Sequence, residues 1–142
     1  MSDMDPMEDR TARAARIRTD MGGADKVAAL HAEGQKTIRD HIDAFLDPGS
    51  FRELGTFSRS MRLADRASTP GDGKIGGHGT AEGRPVAVFG DDITVKRGSS
   101  SLVGGRKEHR LYERALAMGI PLVHFGQTGG GRIPDLIGSE GI

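Results

Sequence analysis

A chain of 142 residues fits one domain of ordinary size. Its 20 basic residues balance 20 acidic ones, so no overall field draws it toward nucleic acid or a membrane surface. Cys is absent, which excludes disulfides, thiolate ligands and a thiol nucleophile.

Taken in chain order, residues 1–23 are polar and acidic at the start, with no apolar signal core, and no run approaches the apolar length that crosses a membrane. A cytoplasmic protein is the expectation, opening with a mobile arm on which Arg10, Arg13, Arg16 and Arg18 can share a short helix. Residues 24–57 form a helical lead-in. Val27, Leu30, Ile38, Ile42, Phe45 and Leu46 recur at three- and four-residue spacings, Gly34 divides them, and Thr37 with Asp40 suits a capping box for the second helix. Asp47-Pro48-Gly49-Ser50 stops that helix, Phe51, Leu54 and Phe57 anchor a connection, and the polar run Ser58 to Pro70 reads as a surface loop.

Residues 58–142 carry the core. Lys74–Thr80 and Arg84–Phe89 flank Glu82-Gly83 as a β-hairpin, and the second strand lacks alternation, so both its faces are expected to be buried. Gly90-Asp91-Asp92 is expected to turn the chain into a short strand at Ile93-Thr94-Val95. A helix from about Val103 to Met118 stops at Gly119, and Pro121–Phe125 supplies a further buried strand. The three glycines Gly129, Gly130 and Gly131 follow, then a helix start near Ile133. Strand, helix, strand, glycine loop and helix is the order of α/β units, in which ligands sit beyond the carboxyl ends of strands.

Two groups of residues can carry chemistry. The backbone N–H groups of Gly130 and Gly131 can hold an oxyanion, the alternative being a glycine turn with no ligand. The spacing fits neither the dinucleotide fingerprint nor the P-loop. Lys96, Arg97, Gly98 and Ser99, followed by Arg106, Lys107 and Arg110 on the next helix, suit phosphate groups. Pairing with Glu108 and Glu113 on a solvated face explains them equally well. His78, His109 and His124 lack a partner by spacing and read as structural, and Asp91-Asp92 reads as a turn, so no metal site is expected.

Beyond these local signals, Ile38 to Gly55, with its core Leu46-Asp47-Pro48-Gly49-Ser50-Phe51, closely resembles the opening of the carboxyltransferase domain of biotin-dependent acyl-CoA carboxylases. Gly71 to Ser100 and Gln127-Thr128-Gly129-Gly130-Gly131-Arg132-Ile133-Pro134-Asp135 follow in the family's order, so the resemblance spans about Ala32 to Ile142. It implies a partial crotonase-like fold, a twisted sheet wrapped by helices and preceded by a helical arm. Gly130 and Gly131 correspond to the family's oxyanion amides, and Lys96 to Ser99 with Arg106 and Arg110 to its CoA region.

The implied activity is transfer of carboxylate from carboxybiotin to the α carbon of an acyl-CoA. Biotin would be carried by a partner, alongside a biotin carboxylase, the remaining carboxyltransferase domain and further copies in an oligomer. On this reading the sequence stops inside the first of the family's two domains, and the chain alone is expected to be inactive. Two alternatives stand beside it: a biotin-independent crotonase-like acyl-CoA decarboxylase or hydratase, and a non-catalytic acyl-CoA-binding or assembly module or inactive fragment.

Overall fold

The apolar spacing of the first third becomes three helices in the computed structural model, which describes residues 6–137: α1 (Pro6–Asp20), α2 (Ala24–Ala32) and α3 (Ile38–Phe45). The first five residues of the expected arm, and the last five of the expected core, lie outside the described residues. Helix α1 carries the arginine series and buries none of its residues. It is tied down by Arg18, 3.0 Å from Glu53, and by Arg13, whose guanidinium lies 5.5 Å from the centre of the Phe57 ring. The capping box of α3 forms: Asp40 N donates to Thr37 Oγ1 at 3.1 Å, and Thr37 N donates to Asp40 Oδ2 at 2.7 Å.

Four strands, β1 (Arg52–Glu53), β2 (Lys74–Ala81), β3 (Arg84–Asp91) and β4 (Leu122–Phe125), pair in that order into an open mixed sheet. The first three run antiparallel, and β4 lies parallel to β3. Glu82 and Gly83 turn the hairpin with φ of 50° and 76°, the left-handed pair that matches strand twist. Asp47 fixes this turn, accepting from both of its N–H groups at 3.0 and 2.9 Å. Gly77 is required where β1 meets β2, because a Cβ there would lie 2.1 Å from the Arg52 carbonyl oxygen.

Strand β3 is the centre of the molecule. Its Val86 and Val88 pack with Ile75 against Ile38, Ile42 and Leu46, while Ala87 and Phe89 face Leu111 and Ala115 of α4 (Leu102–Met118). Helix α3 therefore covers one face of the strand and α4 the other, which is why β3 lacks alternation. Ser101 caps the start of α4, and Gly119 ends it in the left-handed conformation.

Three segments differ from the sequence reading. Gly90 and Asp91, expected to begin a turn, instead stay in β3 opposite Ile75 and Lys74, and Ile93-Thr94-Val95 is the turn, because the Asp92 carboxylate accepts from Thr94 N at 2.9 Å and Thr94 Oγ1 at 2.6 Å and closes the backbone on itself. The Ser58–Pro70 run contains a 3₁₀ helix at Leu63–Ser68, and two of its polar residues, Ser60 and Thr69, are buried, with Ser60 N donating to Thr69 Oγ1. Strand β4 is only partly buried and His124 is exposed, because among the described residues β4 lies at the end of the strand order with β3 as its one neighbour in the sheet.

Glu53 joins the lead-in to the sheet. Arg39 grips it with two bonds of 3.1 and 2.9 Å, and Arg18 adds a third. Burial pushes the Glu53 carboxyl up, but the bonds and charges of Arg39 and Arg18 outweigh burial and hold it below the usual 4.5. The native state then binds fewer protons than the unfolded chain in this range. The stabilisation is complete above the unfolded value and is lost as pH falls through the native one. Glu53→Gln is expected to cost roughly 3 kcal/mol near neutral pH, since Arg39 loses its counter-charge, and to flatten the acid-side fall in stability measured by urea unfolding.

Candidate functional site

Two left-handed turns lie side by side at the entrance to α4. Gly71, Asp72 and Gly73 have φ of 62°, 52° and 70°, and Lys96, Arg97 and Gly98 have φ of 46°, 57° and 66°. For a residue with a side chain this conformation costs roughly 1–2 kcal/mol, so Asp72, Lys96 and Arg97 must be held by their surroundings. Asp72 is fully buried. Its Oδ2 accepts from Ser101 Oγ and, at 3.1 Å, from Gly104 N in the first turn of α4, where the helix dipole favours negative charge. Its Oδ1 accepts from Arg132 Nη1 at 2.6 Å.

The second turn points its carbonyls at the glycine loop. Gly129 N donates to Arg97 O at 2.9 Å, and Thr128 Oγ1 donates to Gly98 O at 3.0 Å. Further along, Ser100 N donates to Gly130 O at 2.8 Å and Arg132 N to Ser100 O at 2.7 Å, so the two segments form a short parallel bridge. Before the glycines, Gln127 N donates to Asp91 Oδ2 at 2.8 Å, and the other Asp91 oxygen pairs with the buried Lys74 ammonium. A Cβ on Gly129 would lie 2.8 Å from the Arg97 carbonyl oxygen, so the approach requires glycine there.

Inside this frame the two candidate amides differ. Gly130, with φ of 102°, donates to Thr128 Oγ1 at 3.2 Å, whereas the N–H of exposed Gly131 meets no acceptor among the described residues. The helix that follows, α5 (Ile133–Leu136), is a single turn. Beneath it the Arg132 guanidinium, 7% exposed, also reaches Ser99 Oγ at 3.3 Å, Ser99 O at 3.4 Å and Asp135 at 3.5 Å. Asp135 in turn accepts from Ser60 Oγ at 2.7 Å.

The residues expected around CoA separate into three kinds. Gly98 and Ser99 are buried and support the loop directly, Lys96 pairs with Asp65 at 3.3 Å, and Arg97 is exposed beside the glycines. Arg106 and Arg110 are exposed on α4, and Arg110 lines a cavity with Lys107 and Arg114.

Two histidines expected to lack partners do find them, one across the fold and one at the i,i+4 spacing of a helix. His124 Nδ1 lies 3.0 Å from Tyr112 Oη and 3.7 Å from Glu108, and His109 pairs with Glu113 at 3.2 Å. His78 is partly buried, and its Nδ1 meets no partner among the described residues. Also among the described residues, no cluster of three or more His, Cys, Asp or Glu side chains is placed to hold a metal ion. Sequence reading missed Asp72, Arg132, Lys74 and Asp91. The Gly71-Asp72-Gly73 pattern was the available signal, since glycines on both sides of an acid favour a left-handed turn.

Because the Asp72–Arg132 pair is buried, breaking it is expected to be expensive. Asp72→Asn and Arg132→Met should each cost about 3–5 kcal/mol in urea unfolding, and the double variant at least about 2 kcal/mol less than their sum. Costs that add to within about 0.5 kcal/mol would show that the two charges do not depend on each other.

Comparison with known proteins gives this arrangement a family. The model of the carboxyl transferase domain matches residues 29–140. The propionyl-CoA carboxylase carboxyltransferase subunit of Haloferax mediterranei is 37% identical over 141 residues, covering 95% of this chain and 27% of the relative. The methylmalonyl-CoA carboxyltransferase 12S subunit of Propionibacterium freudenreichii subsp. shermanii is 37% identical over 121 residues, 83% of this chain and 23% of the relative. Among solved structures, transcarboxylase 12S with methylmalonyl-coenzyme A and methylmalonic acid bound superposes with a TM-score of 0.87 at 33% identity, over 96% of this chain and 27% of that one. The chain thus spans about a quarter of the length of these relatives. The match over most of the sequence, together with the open mixed sheet carrying a helix on each face and a glycine loop after β4, shows that this chain belongs to the carboxyl transferase domain family.

Proposed function

We propose that this chain forms the glycine-loop portion of a carboxyltransferase that moves a carboxyl group to or from the α carbon of an acyl-CoA. The observation that carries this reading is the exposed Gly131 N–H, without an acceptor among the described residues, on a loop whose flanking residues are each bonded in place. Such a donor can meet the oxygen of a thioester carbonyl as negative charge develops on it, at no cost of reorganisation during reaction. Gly130 N–H can add a second bond once the Thr128 hydroxyl turns away.

Biotin, delivered by a partner protein, would supply the carboxyl group and the base. The chain's own residues would orient the acyl-CoA, shield the forming enolate and hold the amides still. Exposed Arg97, Arg106 and Arg110 offer positive charge for the phosphates of CoA, while Lys96, Gly98 and Ser99 keep the left-handed turn in place.

The hydratase alternative is weakened by Asp135. It is the one acid near the glycines in the sequence, and it is buried, accepting from Ser60 and paired with Arg132 rather than facing the loop's exposed amides. A hydratase needs a carboxylate free to exchange protons with substrate.

The test is radiolabelled carboxyl transfer to an acyl-CoA in an assembly of this chain with the remaining carboxyltransferase region of a relative and a biotinylated carrier. Transfer is expected in the assembly and not with the chain alone. Gly131→Pro, which removes the donor, is expected to lower kcat by about 10²–10³-fold with little change in KM. Failure of every assembly to transfer label, or an unchanged kcat in Gly131→Pro, would contradict the reading.

A further inference from the structure

Lys107 follows Gly104 by three residues on α4, so the two share a face of the helix. Arg106 and Arg110 are exposed, whereas Lys107 is partly buried and turns its ammonium inward onto backbone. Its Nζ donates to Gly55 O at 3.1 Å, Gly71 O at 2.8 Å and Lys74 O at 2.5 Å. An ammonium has three N–H groups, and these acceptors use all of them. Gly55 makes room for the stem, since a Cβ there would lie 3.0 Å from Lys107 Cε and 3.1 Å from Cδ. Lys107 forms no ion pair among the described residues, because Glu53 is gripped by Arg39 and Arg18, and Asp72 by Arg132.

The three carbonyls belong to three segments: Gly55 follows β1, Gly71 opens the left-handed turn of Asp72, and Lys74 begins β2. Gly71 O and Lys74 O thus bracket Asp72 on the chain, while Gly104 N holds its carboxylate at 3.1 Å. One face of α4 grips the turn twice, by its side chain at Gly104 and by its backbone at Lys107. A lysine stem can carry its charge out to water, and an inward charge without a counter-ion is costly. Burial accordingly pulls the Lys107 ammonium down from 10.5 to about 8; the charges of Glu53 and Asp72 raise it, and Arg39 lowers it. Arg110 and Arg114 of the same helix share its cavity. A neutral amine keeps two donors and turns a lone pair toward the third carbonyl. The full set of bonds therefore belongs to the charged form, which the folded chain loses as pH rises through about 8.

We propose that Lys107 is a positioning residue for carboxyl transfer: by joining the carbonyls of Gly55, Gly71 and Lys74 it fixes the turn of Asp72, and through the Asp72–Arg132 pair the place of the Gly131 N–H. The proposal rests on the carboxyltransferase reading for the reaction and on the bonds above for the positioning. Lys107 acts through Asp72 and needs no contact with substrate.

Carbonyl NMR of the 142-residue chain, titrated through pH 8, reads the positioning without substrate. The carbonyl signals of Gly55, Gly71 and Lys74 are expected to move together with a midpoint near 8, and those of Gly130 and Arg132 to follow with the same midpoint. None of them should titrate there in Lys107→Met. In the carboxyltransferase assembly, kcat is expected to fall at least about tenfold through the same midpoint, with KM changed less than about twofold. Between about 8 and 10.5 the unfolded chain holds a proton that the folded one has released, so the contribution of Lys107 to stability rises with pH and the fall in kcat is not unfolding driven by this group. Lys107→Met should show the low kcat at every pH and lack the fall. Lys107→Arg should match it, since a planar guanidinium cannot meet three converging carbonyls. Full activity in Lys107→Arg, or a loss that falls on KM instead of kcat, overturns the proposal by making Lys107 a charge for substrate binding. Gly130 and Arg132 signals that stay still while Gly71 and Lys74 titrate overturn it as well. The titration of the unaltered chain decides the positioning even where a substitution unfolds it. If the unaltered assembly transfers no label, the carboxyltransferase reading fails, and the positioning stands or falls on whether the titration reaches Arg132.

Discussion

The buried carboxylate of Asp72 is the constraint on which the functional end of this chain depends. It sits fully enclosed in a left-handed turn, and a charge in that position is tolerable only when each oxygen is bonded. One oxygen is used by the start of α4, through Ser101 and Gly104, and the other by Arg132, 60 positions along the chain. A single side chain therefore fixes the helix that covers β3 and the segment that carries the glycines. The position of the Gly131 amide follows from a bond made beneath it, on the side away from solvent.

The same device recurs along the sheet. Lys74 and Asp91, on adjacent strands, join the end of the hairpin to Gln127 at the start of the glycine loop, and Arg39 with Glu53 joins α3 to β1. These pairs act through what their loss would leave behind, since a buried charge without its partner is far more costly than an apolar pair in its place. They suit a structure whose loops need fixed positions more than they need large burial. The left-handed Lys96-Arg97-Gly98 turn shows the balance in detail. Two residues accept an unfavourable backbone so that the carbonyls of Arg97 and Gly98 meet Gly129 and Thr128.

Local structure was largely legible in the sequence. Thr37 and Asp40 gave the start of α3, Glu82-Gly83 the hairpin and Gly119 the end of α4, because each of these depends on residues within a few positions of one another. The unbroken apolar run of β3 correctly indicated two covered faces. Where the reading failed, a more distant or competing bond decided the outcome. Ile93 to Val95 has strand-forming residues, yet the Asp92 carboxylate captures Thr94 and makes a turn. Ser60 and Thr69 look like surface residues until their internal bonds are seen. The Arg132–Asp72 pair left no periodic trace, since its members are joined only by the folded chain. The glycines could be recognised from sequence as a candidate site, but the charges that position them could not.

Amide hydrogen exchange by NMR at the two bridged segments tests most directly whether a buried charge pair holds the glycine loop rigid with one amide left open. The N–H groups of Ser100, Gly129 and Arg132 are predicted to be protected together, and that of Gly131 to exchange at least about a hundredfold faster. In Asp72→Asn the protection of all three should collapse toward the Gly131 rate while the β2–β3 amides keep theirs. Equal protection at Gly131 and its neighbours, or an Asp72→Asn loop as protected as the original, would contradict the account.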